Sequence, residues 1–181
     1  MTDTEVFIHD AEPQDMPAVA EIMTHYVEHS VITFSEEPPS VTYWEEQLLA
    51  KQAGGHPFLV AEADDEVLGF AYVSPWNPKS AYRHTVENTI YLRPGTGGRG
   101  LGTSLLRVLM QRCAAAGHRH MIALLTDDES TRASYALHQR FGFTEIGRLR
   151  DVGIKHGRSL SVILMQCTLS APQPAAGDDV G

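Results

Sequence analysis

The glycine-rich stretch RPGTGGRGLGTSLL, residues 93–106, constrains the fold more than any other part of this sequence. The residues before it, 85–93, alternate between apolar and polar side chains with the period of a β-strand. The residues after it, 101–113, place apolar side chains at helical spacing, and Gly117 predicts the end of that helix. A strand, a glycine loop and a helix N-terminus therefore follow one another directly. This order predicts an anion site made of backbone N–H groups and the positive end of the helix dipole.

Several kinds of phosphate site share such a loop. A Walker-type loop is excluded, because no Lys-Ser/Thr pair follows the last glycine. Gly95, Gly97 and Gly100 have the G-x-G-x-x-G spacing of a dinucleotide site, and Asp127 stands where a ribose-binding acid could lie. Too few βα units follow for that fold. A turn that binds nothing and a pyrophosphate site suited to coenzyme A are the remaining alternatives.

The rest of the chain predicts a mixed α/β fold. Apolar alternation and short apolar runs indicate six to seven strands, near residues 6–10, 58–63, 67–74, 85–93, 121–126, 143–149 and 160–169. Helical spacing indicates helices near 16–27, 41–51, 101–117 and 130–141, which this order places on both faces of one sheet. We expect a single domain over residues 1–170, followed by a disordered Pro/Ala/Gly-rich tail at 171–181.

Composition limits the partners of the chain. The formal net charge of −9 argues against nucleic acid or an anionic membrane surface as the main partner. No apolar stretch approaches the length of a membrane span, and the acidic, mixed first residues predict no secretory signal. Cys113 and Cys167 are expected to be buried and unpaired, which predicts a reducing, cytoplasmic compartment.

One metal motif occurs in the sequence. His25, Glu28 and His29 match H-x-x-E-H, the inverted zinc-protease pattern, but the motif is short and no third ligand can be located. His118 and His120 also resemble ligands and fit better as a polar strand entrance. We therefore expect no metal.

Longer stretches carry a family resemblance. VENTIYLRPGTGGRGLGTSLL (86–106), together with YALHQRFGF (135–143), resembles the GNAT N-acetyltransferase superfamily. With HYVEHSVITF, EEP, SPWNPKSAYRHTVE and GIKHGRSL, the chain is similar to the phosphinothricin and methionine sulfoximine acetyltransferase group over about residues 8–166. The resemblance implies the GNAT fold, acetyl-CoA as co-substrate, a small-molecule amine acceptor and a homodimer.

The resemblance also assigns catalytic roles. Glu87 stands where this group places its general base, acting directly or through a water, although the strand pattern alone would make it a solvated glutamate. His138 stands where many relatives carry a tyrosine that protonates the thiolate, and an ordinary packed histidine is the alternative. Tyr135 is a second candidate for that acid.

The binding residues implied by the resemblance form two sets. Those for acetyl-CoA are Ile90, Tyr91, Leu92, Gly97, Gly98, Arg99, Gly100, Leu101, Gly102, Thr103, Thr131 and Ser134. Those for the acceptor are Phe34, Trp76, Tyr82, Arg83, Thr85 and Lys155, with Lys79 as a further cation. Arg83 has the geometry to pair with a carboxylate in a bidentate manner.

Three positions depart from the family pattern. Gly97 replaces the usual Gln or Arg, Thr131 replaces an asparagine, and Ser159-Leu160-Ser161 replaces W-x-D. Two functions therefore stay open: an N-acetyltransferase for a small amino acid or analogue, and a non-catalytic acyl-CoA-binding domain. A different acceptor, such as a peptide N-terminus or a polyamine, is a variant of the first.

Overall fold

The computed structural model describes residues 5–169, so the tail predicted at 171–181 lies outside the described residues. Within them the chain forms seven strands, four α-helices and three short 3-10 turns. In chain order the elements are β1 (Phe7–Asp10), α1 (Met16–His29), α2 (Val41–Ala53), β2 (Phe58–Ala63), β3 (Glu66–Pro75), β4 (Thr85–Leu92), α3 (Leu101–Ala115), β5 (His120–Thr126), α4 (Arg132–Arg140), β6 (Thr144–Lys155) and β7 (Arg158–Thr168).

All seven strands belong to one sheet with the order β1-β2-β3-β4-β5-β7-β6. Every neighbouring pair is antiparallel except β4 and β5, which are parallel. The prediction of a mixed sheet of six to seven strands is confirmed.

Each face of the sheet buries its own core, because successive strand side chains point to opposite faces. On one face, α3 packs Leu105, Leu106 and Leu109 against residues such as Leu59 of β2. On the other face, α1 and α2 pack against Val60 and its neighbours, and Trp44 of α2 contacts the rings of β2 and β3. The prediction of helices on both faces is therefore confirmed as well.

The parallel pair at the centre of the sheet separates after three residues. Its register runs from Thr85 opposite His120 to Glu87 opposite Ile122 and ends there. On its other side β4 stays paired with β3 as far as Leu92. Beyond Glu87, the backbone groups of β4 that point toward β5 consequently have no partner strand. A wedge opens in the sheet at this point.

The last hairpin differs from its prediction. We expected a strand over 143–149 and a turn at 153–157, whereas β6 continues to Lys155 and the turn closes at His156 and Gly157. The register shifts between Leu149 and Gly153, where Asp151 adopts a φ of +51°. This irregularity interrupts the alternation of side chains, and the strand end predicted from that alternation, at residue 149, was therefore too early.

No helix among residues 5–169 is long and apolar enough to cross a membrane.

Candidate active site

Two adjoining cavities open where β4 and β5 separate. The larger has a volume of about 600 Å³ and runs from β4 along the glycine loop (residues 93–102) to α4. The smaller, about 130 Å³, lies between the carboxyl ends of β4 and β5 and the start of α4. The two share lining residues from three parts of the chain: Ile32, Ile90, Tyr91, Ser130 and Ser134. An elongated ligand can therefore pass from the glycine loop into the wedge.

The glycine loop forms the wide end of this space. Gly100 precedes α3 with a left-handed φ of +79°, and no side chain caps the helix. The first intrahelical bond runs from the N–H of Ser104 to the carbonyl of Gly100, 3.0 Å, so the preceding N–H groups point outward unpaired. Leu101, Gly102 and Thr103 carry these groups, and all three line the larger cavity. They form a cradle for phosphate oxygens at the positive end of the helix.

Arg93 anchors the first residue of the loop. Its Nε donates to the carbonyl of Val67 at 2.9 Å, and its guanidinium pairs with Glu21 and Glu66. The hydroxyl of Thr96 donates to the Arg93 carbonyl at 2.7 Å, which closes the turn. These contacts fix the side chain of Arg93, and Arg93 therefore holds the first residue of the loop in place.

Two further arginines belong to the glycine loop and to the wall of the larger cavity. Arg99 is exposed on the loop and makes no hydrogen bond or ion pair with other described residues. Arg140 lines the larger cavity from the last turn of α4, and the sequence analysis missed it. Gly97, which stands where the family carries a Gln or Arg, lines the same cavity as Arg140.

The smaller cavity contains a buried polar pair, Asn88 and His138. The Asn88 amide donates to the carbonyl of Ile122 at 3.2 Å, across the opening of the wedge. This bond directs Oδ1 of Asn88 toward Nε2 of His138, 3.1 Å away, while Nδ1 of His138 lies 2.8 Å from the carbonyl of Ser134. Burial lowers the pKa of His138, and the contact with Ser134 opposes this. The neutral ring has one N–H and can satisfy only one of these two oxygens, so the second becomes satisfied when the ring gains a proton.

Thr131 stands where the family carries an asparagine. It lines the same cavity, but its hydroxyl donates its hydrogen bond to the backbone of the protein itself. Its buried hydroxyl lies 2.7 Å from the carbonyl of Thr126 and 2.8 Å from that of Asp128, and these two carbonyls share its one proton. Thr131 can therefore offer only lone pairs to a ligand.

Glu87 lies on the opposite face of β4 from Asn88 and His138. Side chains alternate along β4, so Glu87, Thr89 and Tyr91 face α1 and α2. Glu87 is half-buried, and burial raises the pKa of its carboxyl, while the charge of Lys51 lowers it. A carboxylate destabilised by burial is a better proton acceptor than a solvated one.

Tyr135 is not part of either cavity at the wedge. Its hydroxyl donates to Glu145 on β6 at 3.1 Å, beside a separate polar pocket lined by Asp127 and Arg148. The structure brings His138 to the wedge and leaves Tyr135 on the outer face of α4.

Three of the predicted acceptor residues, Trp76, Tyr82 and Arg83, lie on the β3–β4 connection, and a fourth, Thr85, begins β4. Trp76 is half-buried, and its backbone N–H donates to the carbonyl of Thr85 at 3.2 Å, which closes the loop two residues before Glu87. Tyr82 and Arg83 are exposed, and the guanidinium of Arg83 donates to the carbonyl of Ser80 at 3.3 Å and to no other residue in the described range 5–169. The guanidinium of Arg83 therefore remains available to a ligand. Lys79, the further cation, is exposed on the same loop.

The other two predicted acceptor residues lie together on β6 and the α1–α2 connection. The ring of Phe34 covers Gly153 so closely that a Cβ there would overlap it. Lys155 is buried and donates to the carbonyl of Thr33 at 2.8 Å. Burial lowers its pKa, and Glu36 opposes this. In this structure Lys155 ties the α1–α2 connection to β6, and its ammonium group does not face open space.

The serines that replace W-x-D stabilise the irregularity in β6. The hydroxyl of Ser161 accepts from the N–H of Asp151 at 3.0 Å, and that of Ser159 donates to the Asp151 carboxylate at 3.0 Å. Leu160 between them is buried. These residues are structural parts of the hairpin.

Comparisons with known proteins agree with this geometry. The Acetyltransferase (GNAT) family matches residues 19–143. The chain is 40% identical over 157 residues to a phosphinothricin N-acetyltransferase of Alcaligenes faecalis, covering 87% of this chain and 79% of that protein. It is 34% identical over 169 residues to an L-methionine sulfoximine/L-methionine sulfone acetyltransferase of Pseudomonas aeruginosa, covering 93% and 97%. The crystal structure of a phosphinothricin acetyltransferase from Sinorhizobium meliloti in complex with acetyl-CoA superimposes with a TM-score of 0.86 at 36% identity, covering 95% and 94%.

Proposed function

The chain belongs to the GNAT acetyltransferase family and is an acetyl-CoA-dependent N-acetyltransferase, and we propose that it acetylates the amine of a small amino acid or amino-acid analogue with Glu87 as general base. One observation carries the proposal: the wedge between β4 and β5 opens directly after Glu87, and cavities lead from it to the glycine loop. Relatives named for phosphinothricin and for methionine sulfoximine or sulfone support the acceptor class.

The fit of acetyl-CoA to this space rests on the backbone. The unpaired N–H groups at the start of α3 suit a pyrophosphate, and Arg99 and Arg140 add charge. The unpaired groups of β4 around Ile90 suit an extended amide-containing arm lying in the wedge. Bound there, acetyl-CoA supplies the thioester whose acetyl group is transferred.

In the proposed reaction, Glu87 takes a proton from the acceptor amine, directly or through a water. The amine nitrogen forms a bond to the thioester carbonyl carbon, and the C–S bond then breaks. The thiolate takes a proton from the protonated ring of His138, which returns to its neutral form, and Nε2 of His138 would exchange Asn88 for the sulfur. Because Glu87 and His138 lie on opposite faces of β4, the amine and the leaving thiolate can each meet a proton-transfer group.

The acceptor enters beside the β3–β4 connection in this proposal. The exposed guanidinium of Arg83 pairs with the carboxylate of the acceptor, and Trp76 and Tyr82 contact its side chain. Thr85 closes the base of this loop, and we propose that Phe34 of the α1–α2 connection and Lys155 of β6 complete the acceptor site.

The proposal is tested by measuring free thiol release from acetyl-CoA with a panel of acceptors. We expect turnover with one or more of phosphinothricin, methionine sulfoximine, methionine sulfone or a free amino acid. The same compounds with a blocked amine serve as matched controls and should give only background hydrolysis. Turnover restricted to a polyamine or a peptide N-terminus would overturn the acceptor class. Saturable acetyl-CoA binding without turnover would instead favour the non-catalytic acyl-CoA-binding domain.

We also propose that the protein is a homodimer that uses β6. This strand is an edge of the sheet, and four apolar side chains on it are exposed: Ile146, Leu149, Val152 and Ile154, the last by 75%. An exposed apolar edge strand is a surface that normally becomes covered.

We also propose a cytoplasmic location, supported by Cys113 and Cys167, which are free and buried.

The dimer is tested by the molar mass in solution, measured by light scattering after size-exclusion chromatography. We expect twice the mass of the chain for the wild type and the monomer mass for Ile154→Lys. Leu49→Lys, at an exposed leucine on α2, is the matched control and should leave the dimer intact. A monomeric wild type at micromolar concentration would contradict the proposal.

A further inference from the structure

Lys51 is a buried lysine whose ammonium group contacts no carboxylate of the described residues 5–169. It is 6% exposed on the inner side of α2, although lysine is rarely buried without a charged partner. Its Nζ donates to the carbonyl of Val73 at 3.2 Å and to the hydroxyl of Ser74 at 2.9 Å. It also lies 4.1 Å from the centre of the Tyr72 ring. Two hydrogen bonds and a ring face thus fix the position of a charge inside the protein.

The strand register directs this charge toward Glu87. Ser74 of β3 is the direct partner of Glu87 of β4, so their side chains lie next to each other on the same face of the sheet. Lys51 donates a hydrogen bond to Ser74, so only the Ser74 side chain separates its ammonium group from the region of the Glu87 carboxyl. The two charges affect each other, while no ion pair shorter than 4.0 Å joins them in the described structure.

We propose that Lys51 is a positioning residue for the acetyl transfer, whose tethered ammonium group holds the Glu87 carboxylate in its ionised form. The inference rests on the proposed role of Glu87 as general base. A half-buried carboxyl that kept its proton could not accept one from an amine. A cation held nearby by Val73 and Ser74, but not bonded to the carboxylate, stabilises its charge and leaves its oxygens free for the acceptor.

The neighbouring titratable groups leave Lys51 as the cation that acts on Glu87. Tyr72 and Tyr91 face the same region, and burial raises the pKa of each to about 12, so both are neutral. Burial lowers the pKa of Lys51 to about 8, with Glu87 opposing that decrease. His56 lies beyond Lys51, and burial together with Lys51 lowers its pKa, so it is neutral at pH 7. Among residues 5–169, no other charged side chain acts on the pKa of Glu87.

The first test compares the pH dependence of kcat/KM in three proteins. In Lys51→Met the low-pH limb of the profile of kcat/KM against pH should shift toward higher pH by about one unit. At a given pH on that limb kcat/KM then falls about tenfold, while the plateau at higher pH is unchanged. Lys51→Arg keeps the charge and should keep the wild-type profile. Ser74→Ala, which removes one tether and keeps Lys51, should move the limb in the same direction by less. A Lys51→Met enzyme that loses plateau activity or thermal stability with an unmoved limb would overturn the proposal, because that is the result of a purely structural role.

A second measurement separates this inference from the proposed function. The carboxyl carbon of Glu87 is titrated by NMR in the wild type and in Lys51→Met, which requires no turnover. A higher pKa in the variant is expected, and an equal pKa overturns the role of Lys51 even if Glu87 is the base. If Glu87→Gln remains fully active while the NMR pKa moves, the general-base assignment fails and the electrostatic link between Lys51 and Glu87 stands.

Discussion

Glu87→Gln is expected to lower kcat/KM for acetyl transfer at pH 7 by about 10²- to 10⁴-fold, the range typical of a lost general base. Glutamine has nearly the same shape as glutamate and cannot take a proton at this pH. Because Glu87 lines neither cavity at the wedge, acetyl-CoA affinity should be unchanged. Thiol release and acetyl-CoA titration on the same preparation measure the two quantities.

The pH dependence identifies the mechanism of that loss. Burial raises the pKa of the Glu87 carboxyl, so wild-type activity should rise with pH as this group loses its proton. Glu87→Gln should lack this limb, and its deficit should shrink as pH approaches the pKa of the acceptor amine, since a free amine needs no base. Glu45→Gln, an exposed glutamate on α2, is the control and should behave as wild type. An equal deficit at every pH would contradict a base role.

The sequence predicted the parts of this protein that local patterns specify. Residues 85–93 alternate strictly, and the helix after the glycine loop repeats its leucines at helical spacing, so both elements and the loop between them were placed correctly. Glu87, His138 and the residues of the glycine loop were named from the family resemblance. The structure places the loop residues and His138 in or beside the cavities at the wedge.

The sequence could not predict features that depend on distant pairings. The wedge exists because β4 keeps its partner on one side and loses it on the other, and no local pattern records this difference. Asn88 and His138 are 50 residues apart, and their contact forms only when α4 packs beside β4. Lys51 looks like a surface residue in the polar helix segment VTYWEEQLLAKQA, and its burial becomes visible only in the structure, where it contacts Val73 and Ser74 of β3. Buried polar side chains of this kind are identified from their contacts in the structure and not from the local sequence pattern.

Gly100→Ala is expected to weaken acetyl-CoA binding by about ten- to a hundredfold. Gly100 has a φ of +79°, and a Cβ there would meet no atom within 4 Å, so the cost of alanine is backbone strain of about 1–2 kcal/mol. Relief of that strain turns the first N–H groups of α3 away from the phosphates, and each charge-assisted hydrogen bond lost costs about 1.5–3 kcal/mol.

Gly117→Ala is the matched control for this effect at the other end of the same helix. Gly117 has a φ of +86° and equally open space around its Cβ position, so the two variants should lose similar stability, with a Tm decrease of about 2–8 °C. Only Gly100→Ala should lose acetyl-CoA affinity, measured by calorimetric titration. Wild-type affinity in both variants would show that the N-terminus of α3 does not hold the pyrophosphate. Equal losses of affinity would show that the effect follows from stability alone, because Gly117 lies beyond the end of α3 and lines neither cavity at the wedge.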